Sequence, residues 1–393
     1  MQIKRTFITD AKRTAITNFG GSFSALSPGD LGARCLKSLL IEYPFLKDET
    51  DFFISGNVLS AGHGQNVARQ VALNGGLDQS VPAFGVNQVC GSGMQALILG
   101  LNYIQSGNAD IVIAGGVETM SAAAHCVPNF RWGTKMGHAS FVDTMISDGL
   151  WDAFNDIHMG ITAENVAQKY NISRIQQDEF AFTSHEKASF AQKSGYFDSE
   201  IVPVEVLLKK ELKKIQYDEF IRSDISLEKL SKLRPVFKKD GSVTAGNASG
   251  LNDGAAYVVL MSEEKAAEYQ MKMKFECLES ATVGYDPNYM GVAPIEAINK
   301  LIYKSNLNLN DIDLFEINEA FAAQSIAVKN ELNIKDKKLN VAGGAIALGH
   351  PIGASGARIV VSLVHHLQRL DKKVGLASLC VGGGQATSLL IKN

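Results

Sequence analysis

The amino-acid sequence predicts an α/β fold made of two similar halves and an inserted region. Short apolar runs of strand length alternate with amphipathic stretches of helical length, which is typical of βαβ-built proteins. Glycine-flanked landmarks of the first half return in the same order in the second half. A polar region of different character lies between them. We therefore expect two related βαβ-built halves and a separate insertion.

Four segments define the first half. Residues 3–8 predict a strand, and residues 92–106 (SGMQALILGLNYIQS) predict an apolar, buried helix. Residues 109–116 (ADIVIAGG) predict a buried strand that ends in a glycine turn. Beyond the insertion, residues 255–261 (AAYVVLM) predict a strand that returns to the sheet of this half.

The second half repeats this plan, with a predicted helix over 354–370 and a predicted strand over 373–384 that ends in glycines. Three pairs of landmarks lie at similar separations: 262 residues from Asp51 to Asp313, 260 from Cys90 to His350 and 267 from Gly115 to Gly382. All α/β chains share the alternation, but here the glycine signals coincide as well. This agreement favours an internal duplication.

The inserted region, about 120–248, holds both tryptophans and the polar stretch 205–240. A helix is expected over 173–194, because Ser173 and Gln176 form a capping-box pattern. The expected domains are an N-terminal half over 1–119 completed by 249–271, a loop domain over 120–248, and a C-terminal half over 272–393.

Composition narrows the class of protein. Hydrophobic residues make up 46% of the chain, as in a globular enzyme, and a net charge of −3 argues against general nucleic-acid binding. The five cysteines are scattered without a CxxC pair, so a zinc site is not expected and a reducing, cytoplasmic compartment is. No apolar run approaches 18 residues, and the N-terminus has no apolar signal core.

Cys90 is the first candidate for chemistry. It lies in VCGSG, directly before the predicted helix that begins at Ser92. A thiol at a helix N-terminus is expected to ionise more easily, because the dipole and the free N–H groups favour thiolate. The alternative is a buried structural cysteine, which is how we interpret Cys35, Cys126 and Cys277.

His350 and Cys380 are the other candidates. His350 stands between Gly349 and Pro351, just ahead of a predicted helix, although a lone histidine is more often structural. Cys380 ends a strand before three glycines, where it could simply be a small apolar residue. Two thiols and an imidazole suit a reaction that needs a nucleophile, its base and a second base.

Three further segments are less specific. Asn318, in NEAF, could cap the next helix or orient a water in the site. The glycine-rich segment 246–256 is neither a Walker A loop nor GxGxxG, so dinucleotide binding is not indicated. Residues 207–240 hold ten Lys/Arg against six Asp/Glu, which suits a solvated face or a local positive field for a phosphorylated ligand.

Together these segments resemble the thiolase family, over essentially the whole chain. The matching segments are VCGSGMQA, AGGVETMS, HMGITAENVA, LRPVF, GSVTAGNASGLNDGAA, NEAFA, NVAGGAIALGHPIGASGAR and CVGGGQA. Eight segments in order are far more specific than any one. The resemblance implies the thiolase fold, with duplicated halves in a layered αβαβα core and a loop domain that binds coenzyme A (CoA).

The resemblance also implies a role for each candidate. Cys90 resembles the acyl-accepting nucleophile, and His350 its base and a donor to the thioester oxygen. Cys380 resembles the acid/base that removes the α-proton of the second acyl group. Asn318 resembles the residue that positions a water beside His350 in a first oxyanion hole. The backbone N–H groups of Cys90 and Gly382 resemble a second hole.

The substrate channel is also implied by resemblance. Residues expected to bind substrate or CoA are Leu150, His158, Met159, Arg222, Phe237, Ala245, Ser249, Met290 and Phe321. Of these, His158 and Met290 resemble the short-chain, acetoacetyl-CoA type, since their bulk would limit the acyl pocket. Phe220 stands where a potassium-dependent relative carries tyrosine, which puts activation by monovalent cations in doubt.

The expected activity is therefore 2 acetyl-CoA ⇌ acetoacetyl-CoA + CoA, by a ping-pong route. The alternatives are a 3-ketoacyl-CoA thiolase of fatty-acid β-oxidation, a ketoacyl-carrier-protein synthase, and a non-catalytic lipid- or CoA-binding relative. Cys380 argues against the synthase, and the full set of reactive residues argues against the non-catalytic relative. Acetyl-CoA, acetoacetyl-CoA and CoA are the expected ligands, with no prosthetic cofactor and no metal. A homotetramer is implied, and neither nucleic acid nor membrane is an expected partner.

Overall fold

A computed structural model describes residues 3–393 as a large mixed sheet with helices packed on both of its faces. The strands of the protein are β1 (Thr6–Thr14), β2 (Thr17–Asn18), β3 (Phe52–Gly56), β4 (Ala83–Val86), β5 (Ile111–Thr119), β6 (His125–Cys126), β7 (Val142–Asp143), β8 (Trp151–Asp152), β9 (Ile157–His158), β10 (Ile201–Val202), β11 (Val204–Leu208), β12 (Glu211–Ile215), β13 (Asn252–Ser262), β14 (Phe275–Gly284), β15 (Leu314–Ile317), β16 (Val374–Val381) and β17 (Gln385–Lys392). Of these, β6 with β7, β8 with β9, and β11 with β12 form separate two-stranded sheets. Its α-helices are α1 (Pro28–Glu42), α2 (Leu46–Glu49), α3 (Val67–Gly75), α4 (Ser92–Gln105), α5 (Met159–Lys169), α6 (Arg174–Lys193), α7 (Leu227–Ser231), α8 (Glu263–Glu268), α9 (Ala293–Ser305), α10 (Ala322–Glu331), α11 (Ala345–Leu348) and α12 (Ile352–Arg369).

The first half of the sheet runs in the order β4-β3-β5-β13-β1. Strand β3 is parallel to both β4 and β5, while β13 is antiparallel to β5 and β1. Every residue of β5 and β13 is buried, because helices cover both faces of the sheet there. The predicted return of the strand at 255–261 to this half is confirmed.

The second half of the sheet repeats this order as β15-β16-β17-β14. Strand β15 is parallel to β16, and β17 is antiparallel to its two neighbours. A single parallel bridge between Phe315 and Leu339 takes the place of a strand corresponding to β4. The halves join where β1 pairs with β14, through Phe7–Glu276 and Ile8–Phe275. The matching topology confirms the predicted duplication.

Helices α4 and α12 form the layer between the two halves of the sheet. Their apolar residues share one core with strands of both halves, which includes Met94 and Leu97 of α4, Val360 of α12, Val112 of β5 and Leu379 of β16. Helices α1 and α3 cover the outer face of the first half, and α9 covers that of the second. The result is the predicted αβαβα order of layers.

The two central helices meet backbone to backbone at their first turns. A Cβ atom placed on Gly93 would lie 2.9 Å from Ala357 N, and one placed on Gly356 would lie 2.4 Å from Met94 N. Glycine is therefore required for this close approach. The contact brings the segments that precede α4 and α12 to the same place.

The inserted region packs against the rest of the protein rather than standing apart. Strand β10 pairs in parallel with β1, and the capping box predicted at Ser173 is formed at the start of α6. Cys126 lies on the exposed two-residue strand β6, so its interpretation as a buried cysteine is wrong; Cys35 and Cys277 are buried as expected. Within residues 3–393, no helix combines the length and the apolar character that crossing a membrane requires.

Candidate active site

A tight turn between β4 and α4 presents Cys90. Val89 adopts a φ of 46°, a left-handed conformation that is strained for a β-branched residue. Ser92 holds the turn, since its Oγ accepts from Gln88 N at 2.9 Å and donates to Val89 O at 2.6 Å. Strain held in place by neighbouring contacts is typical of functional turns.

The Cys90 thiol lies in apolar surroundings that favour its neutral form. Burial raises its pKa to about 11, although the backbone N–H groups of Gly382 and of Cys90 itself lower it. The N–H groups act in the predicted direction, toward thiolate, but the apolar surroundings outweigh them and the net shift of the pKa is upward. Cys90 needs a base in order to act as a nucleophile.

His350 is a neutral base at the start of α12. Its pKa is lowered to about 3 by burial and by the charge of Arg358. Ser355 Oγ donates to Pro351 O at 2.9 Å, so it accepts from His350 Nδ1 at 2.6 Å. This pattern assigns the imidazole proton to Nδ1 and leaves the lone pair of Nε2 free. The backbone is also held, since His350 N donates to Asn252 Oδ1 at 2.9 Å.

Cys380 is buried near the end of β16. It is 1% exposed and packs with Met159 and Met290. Burial is the main cause that raises the pKa of its thiol, followed by the neighbouring Cys90. The chain then turns at Gly382, which lines the cleft described below.

Asn318 is fully buried at the end of β15, and it is not a helix cap. Helix α10 begins at Ala322, with Phe321 in the capping position. The side chain of Asn318 lies between two others: its Oδ1 accepts from Arg358 Nη2 at 3.4 Å, and its Nδ2 is 3.5 Å from His350 Nδ1. The capping alternative is therefore excluded.

A cleft of about 420 Å³ connects these groups. Cys90, His350 and Gly382 line it, whereas Asn318 and Cys380 lie just beneath. All nine residues expected to bind substrate or CoA also line it: Leu150, His158, Met159, Arg222, Phe237, Ala245, Ser249, Met290 and Phe321. The inserted region and both halves thus contribute to one cavity.

His158 has a structural task that the sequence did not reveal. Its Nδ1 accepts from Gly160 N at 3.0 Å and so caps α5. Its ring stacks on Phe237 with centroids 4.6 Å apart, and burial lowers its pKa. Both rings of the stack line the cleft, as do Met159 and Met290, which also pack against Cys380.

Phe220 and Arg222 lie at another part of the cleft wall. The Phe220 ring lies so close to the backbone of Gly250 that a Cβ there would be 2.4 Å from its Cζ. The guanidinium of Arg222 lies 5.4 Å from the centre of the same ring. This wall offers a cation and an aromatic surface but no phenolic oxygen from residue 220.

Sequence reasoning missed three residues that hold the site together. Ser355 fixes the tautomer of His350, and its place five residues after His350 was the available signal. Arg358 is a charged residue within an apolar helix. Glu118, at the end of β5, accepts from Val58 N, Leu59 N, Gly353 N and Asn57 Nδ2 at 2.8–3.2 Å.

Comparison with known proteins identifies the class. Residues 6–264 match the thiolase N-terminal domain and residues 271–393 the thiolase C-terminal domain. A probable acetyl-CoA acyltransferase of Staphylococcus aureus (strain COL) is 52% identical over 388 residues, 98% of each chain. These matches define an enzyme that transfers acyl groups. The chain belongs to the thiolase family.

Solved structures agree with this assignment. The acetyl-CoA acetyltransferase of Bacillus anthracis is 43% identical, with a TM-score of 0.97 over 100% of this chain and 99% of that one. Human mitochondrial 3-ketoacyl-CoA thiolase is 40% identical, with a TM-score of 0.97 over 100% of both chains. The predicted thiolase fold is confirmed.

Proposed function

We propose that the enzyme is an acetyl-CoA C-acetyltransferase that catalyses 2 acetyl-CoA ⇌ acetoacetyl-CoA + CoA. The main support is one apolar cleft lined by Cys90, His350 and Gly382, with the bulky side chains of His158 and Met290 also on its wall. A nucleophile, a free imidazole lone pair and a backbone N–H donor are thus available to one bound thioester.

In the first half-reaction, His350 Nε2 takes the proton of Cys90 as the sulfur attacks the thioester carbonyl. The developing oxyanion accepts hydrogen bonds from the N–H groups of Cys90 and Gly382, which already face the sulfur. The departing CoA thiolate takes the proton of Cys380. Acetyl-Cys90, an imidazolium and a Cys380 thiolate remain, so the charges balance.

In the second half-reaction, the Cys380 thiolate removes an α-proton from a second acetyl-CoA. The enolate oxygen is stabilised by His350 Nε2–H and by a donor that Asn318 positions. The enolate carbon attacks acetyl-Cys90 and gives acetoacetyl-CoA. The released Cys90 thiolate takes the proton back from His350, which restores the free enzyme.

A thiolysis series from four to sixteen carbons tests the substrate range. If His158 and Met290 close the acyl pocket, kcat/KM should be highest for acetoacetyl-CoA and fall with each added methylene. An open apolar pocket would instead gain about 0.8 kcal/mol per methylene. A wild-type profile that rises beyond four carbons would contradict the short-chain proposal.

Two variants separate the bulk of His158 from its capping bond. His158→Asn keeps an acceptor for Gly160 N but removes the ring, so it should extend the range of chain lengths. His158→Phe keeps a ring but loses the cap, so it should lower the melting temperature without extending the range.

The second candidate is a 3-ketoacyl-CoA thiolase with a broader chain length. The equal TM-score of the human mitochondrial 3-ketoacyl-CoA thiolase favours considering it, as does the flexibility of the methionine side chains that line the cleft. The thiolysis series decides between the two, and the roles proposed for Cys90, His350 and Cys380 are common to both.

We also propose that CoA thioesters are substrates with no prosthetic cofactor or metal, and that the enzyme is a cytoplasmic homotetramer. The family resemblance supports both the CoA thioester substrates, with no prosthetic cofactor or metal, and the tetramer. The scattered cysteines support a reducing compartment. Full activity after treatment with a chelator, and a tetramer mass by light scattering, are the expected results.

A further inference from the structure

A buried guanidinium lies directly behind the catalytic groups. Arg358 is 2% exposed on α12, within the apolar layer between the two halves. Among residues 3–393, one atom accepts a hydrogen bond from its side chain, namely Asn318 Oδ1 at 3.4 Å from Nη2. The nearest carboxylate oxygen, Glu316 Oε2, is 4.0 Å from Nη1.

This contact decides which end of the Asn318 amide faces His350. A guanidinium can only donate hydrogen bonds, so the amide oxygen must point toward Arg358. The NH2 group must then point the other way, where it lies 3.5 Å from His350 Nδ1. The contact with Arg358 is a long hydrogen bond, as catalytic hydrogen bonds often are before a ligand binds. The contact with His350 is a close approach only, because His350 Nδ1 carries the proton that it donates to Ser355.

We propose that Arg358 is a positioning residue that orients the Asn318 amide so that its NH2 group serves the oxyanion site beside His350. This inference rests on the proposed function. A reversed amide would turn an oxygen toward a developing negative charge, which would repel it instead of stabilising it.

The alternative is that Arg358 only balances the buried charges of its surroundings. The charged groups that face it are Glu316, Glu200, Glu319 and Arg13. A balancing role predicts that removing one positive and one negative charge together leaves the chemistry intact. A positioning role predicts a loss in the enolate step alone.

The test compares two acyl donors in single turnovers, with acyl-Cys90 measured by mass spectrometry of quenched samples. Acyl-Cys90 forms from acetyl-CoA without an enolate, but from a 3-ketoacyl-CoA it forms only as an enolate departs. The variant is Arg358→Met with Glu316→Gln, since replacing a buried ion pair by uncharged groups is often close to neutral for stability. Glu316→Gln alone is the matched control, and the donor is the 3-ketoacyl-CoA that the wild type cleaves fastest.

The double variant should keep the wild-type rate with acetyl-CoA and lose about 10- to 100-fold with the 3-ketoacyl-CoA, somewhat less than the loss of an oxyanion donor outright. The control should keep both rates. Equal losses with both donors, or no loss, would overturn the proposal. If the double variant melts below the assay temperature, Arg358→Lys is judged by the same ratio, because an ammonium keeps the charge but not the planar donor geometry. A wild type that forms no acyl-Cys90 from either donor would overturn the proposed function as well.

Discussion

The two halves share a topology but use it for different ends. In the first half, the C-terminal end of β5 carries Glu118, a buried carboxylate that accepts four hydrogen bonds and ties the loop after β3 to the start of α12. In the second half, β16 carries Cys380 and leads to Gly382, both placed in the proposed chemistry. The ends of these two corresponding strands therefore differ in use: that of β5 stabilises the structure, and that of β16 forms part of the candidate site.

The segments before the central helices differ in the same way. The first half reaches α4 by a short strained turn that presents a thiol. The second half reaches α12 through α11 and Gly349, and it presents an imidazole. A symmetric scaffold thus delivers unlike groups to one cleft, which is what a nucleophile and its base require.

The largest expected effect tests the contribution of the first half. Cys90→Ala should lower activity by about 10⁴-fold or more, since loss of a nucleophile removes the covalent route. No acetyl group should then be found on the protein after incubation with acetyl-CoA. Cys126→Ala, at an exposed cysteine, is the matched control and should keep full activity. Acetylation of the Cys90→Ala variant at the wild-type rate would contradict the proposal that the first half supplies the nucleophile.

The next effect tests the second half. Cys380→Ser should still accept acetyl from acetyl-CoA but lose roughly 10²–10⁴-fold in condensation, the usual contribution of a general acid/base. Rapid-quench mass spectrometry and acetoacetyl-CoA formation measure the two steps. A partial slowing of acylation is compatible with the proton that Cys380 gives to CoA. Equal losses in both steps would show that the halves do not divide the work as proposed.

The pH dependence of alkylation tests the protonation state of Cys90. Because its pKa is raised to about 11, the thiolate fraction grows by about tenfold per pH unit below that value. The rate of inactivation by iodoacetamide should therefore rise about 100-fold from pH 7 to pH 9, without a plateau. A plateau near neutral pH would indicate a thiolate–imidazolium pair in the free enzyme.

The smallest effect concerns the junction of the two central helices. Gly356→Ala places a Cβ 2.4 Å from Met94 N, so overpacking should cost about 1–3 kcal/mol in the free energy of unfolding. Gly93→Ala is the corresponding change in the first half and should cost a similar amount. Gly284→Ala, with no atom within 4 Å of its Cβ, is the control. Denaturant titration measures all three.

Much of the fold could be predicted from the sequence, because it depends on local patterns. The alternation of strands and helices, the duplication and the capping box at Ser173 depend on periodicity and short-range chemistry. The turn at Cys90 was visible from its glycines. Periodicity carries no information about desolvation, so the upward shift of the Cys90 pKa could not be predicted from the sequence.

The remaining features depend on contacts between distant segments. Glu118 and Gly353 are far apart in sequence, as are Arg358 and Asn318, and only the fold brings each pair together. The exposure of Cys126 depends on the position of strand β6 in the inserted region. None of these could be found from local sequence alone.

The order of strands in the first half has a consequence for biosynthesis. Strand β13 fills the place between β1 and β5, yet it follows the whole insertion in the chain. At about 5–20 residues per second of synthesis, β13 leaves the ribosome on the order of 12–50 seconds after β1. During that interval the strand that separates β1 from β5 is missing, so the apolar strands on either side of its place lack that partner. We expect it to be a substrate for chaperones until residue 262 has emerged.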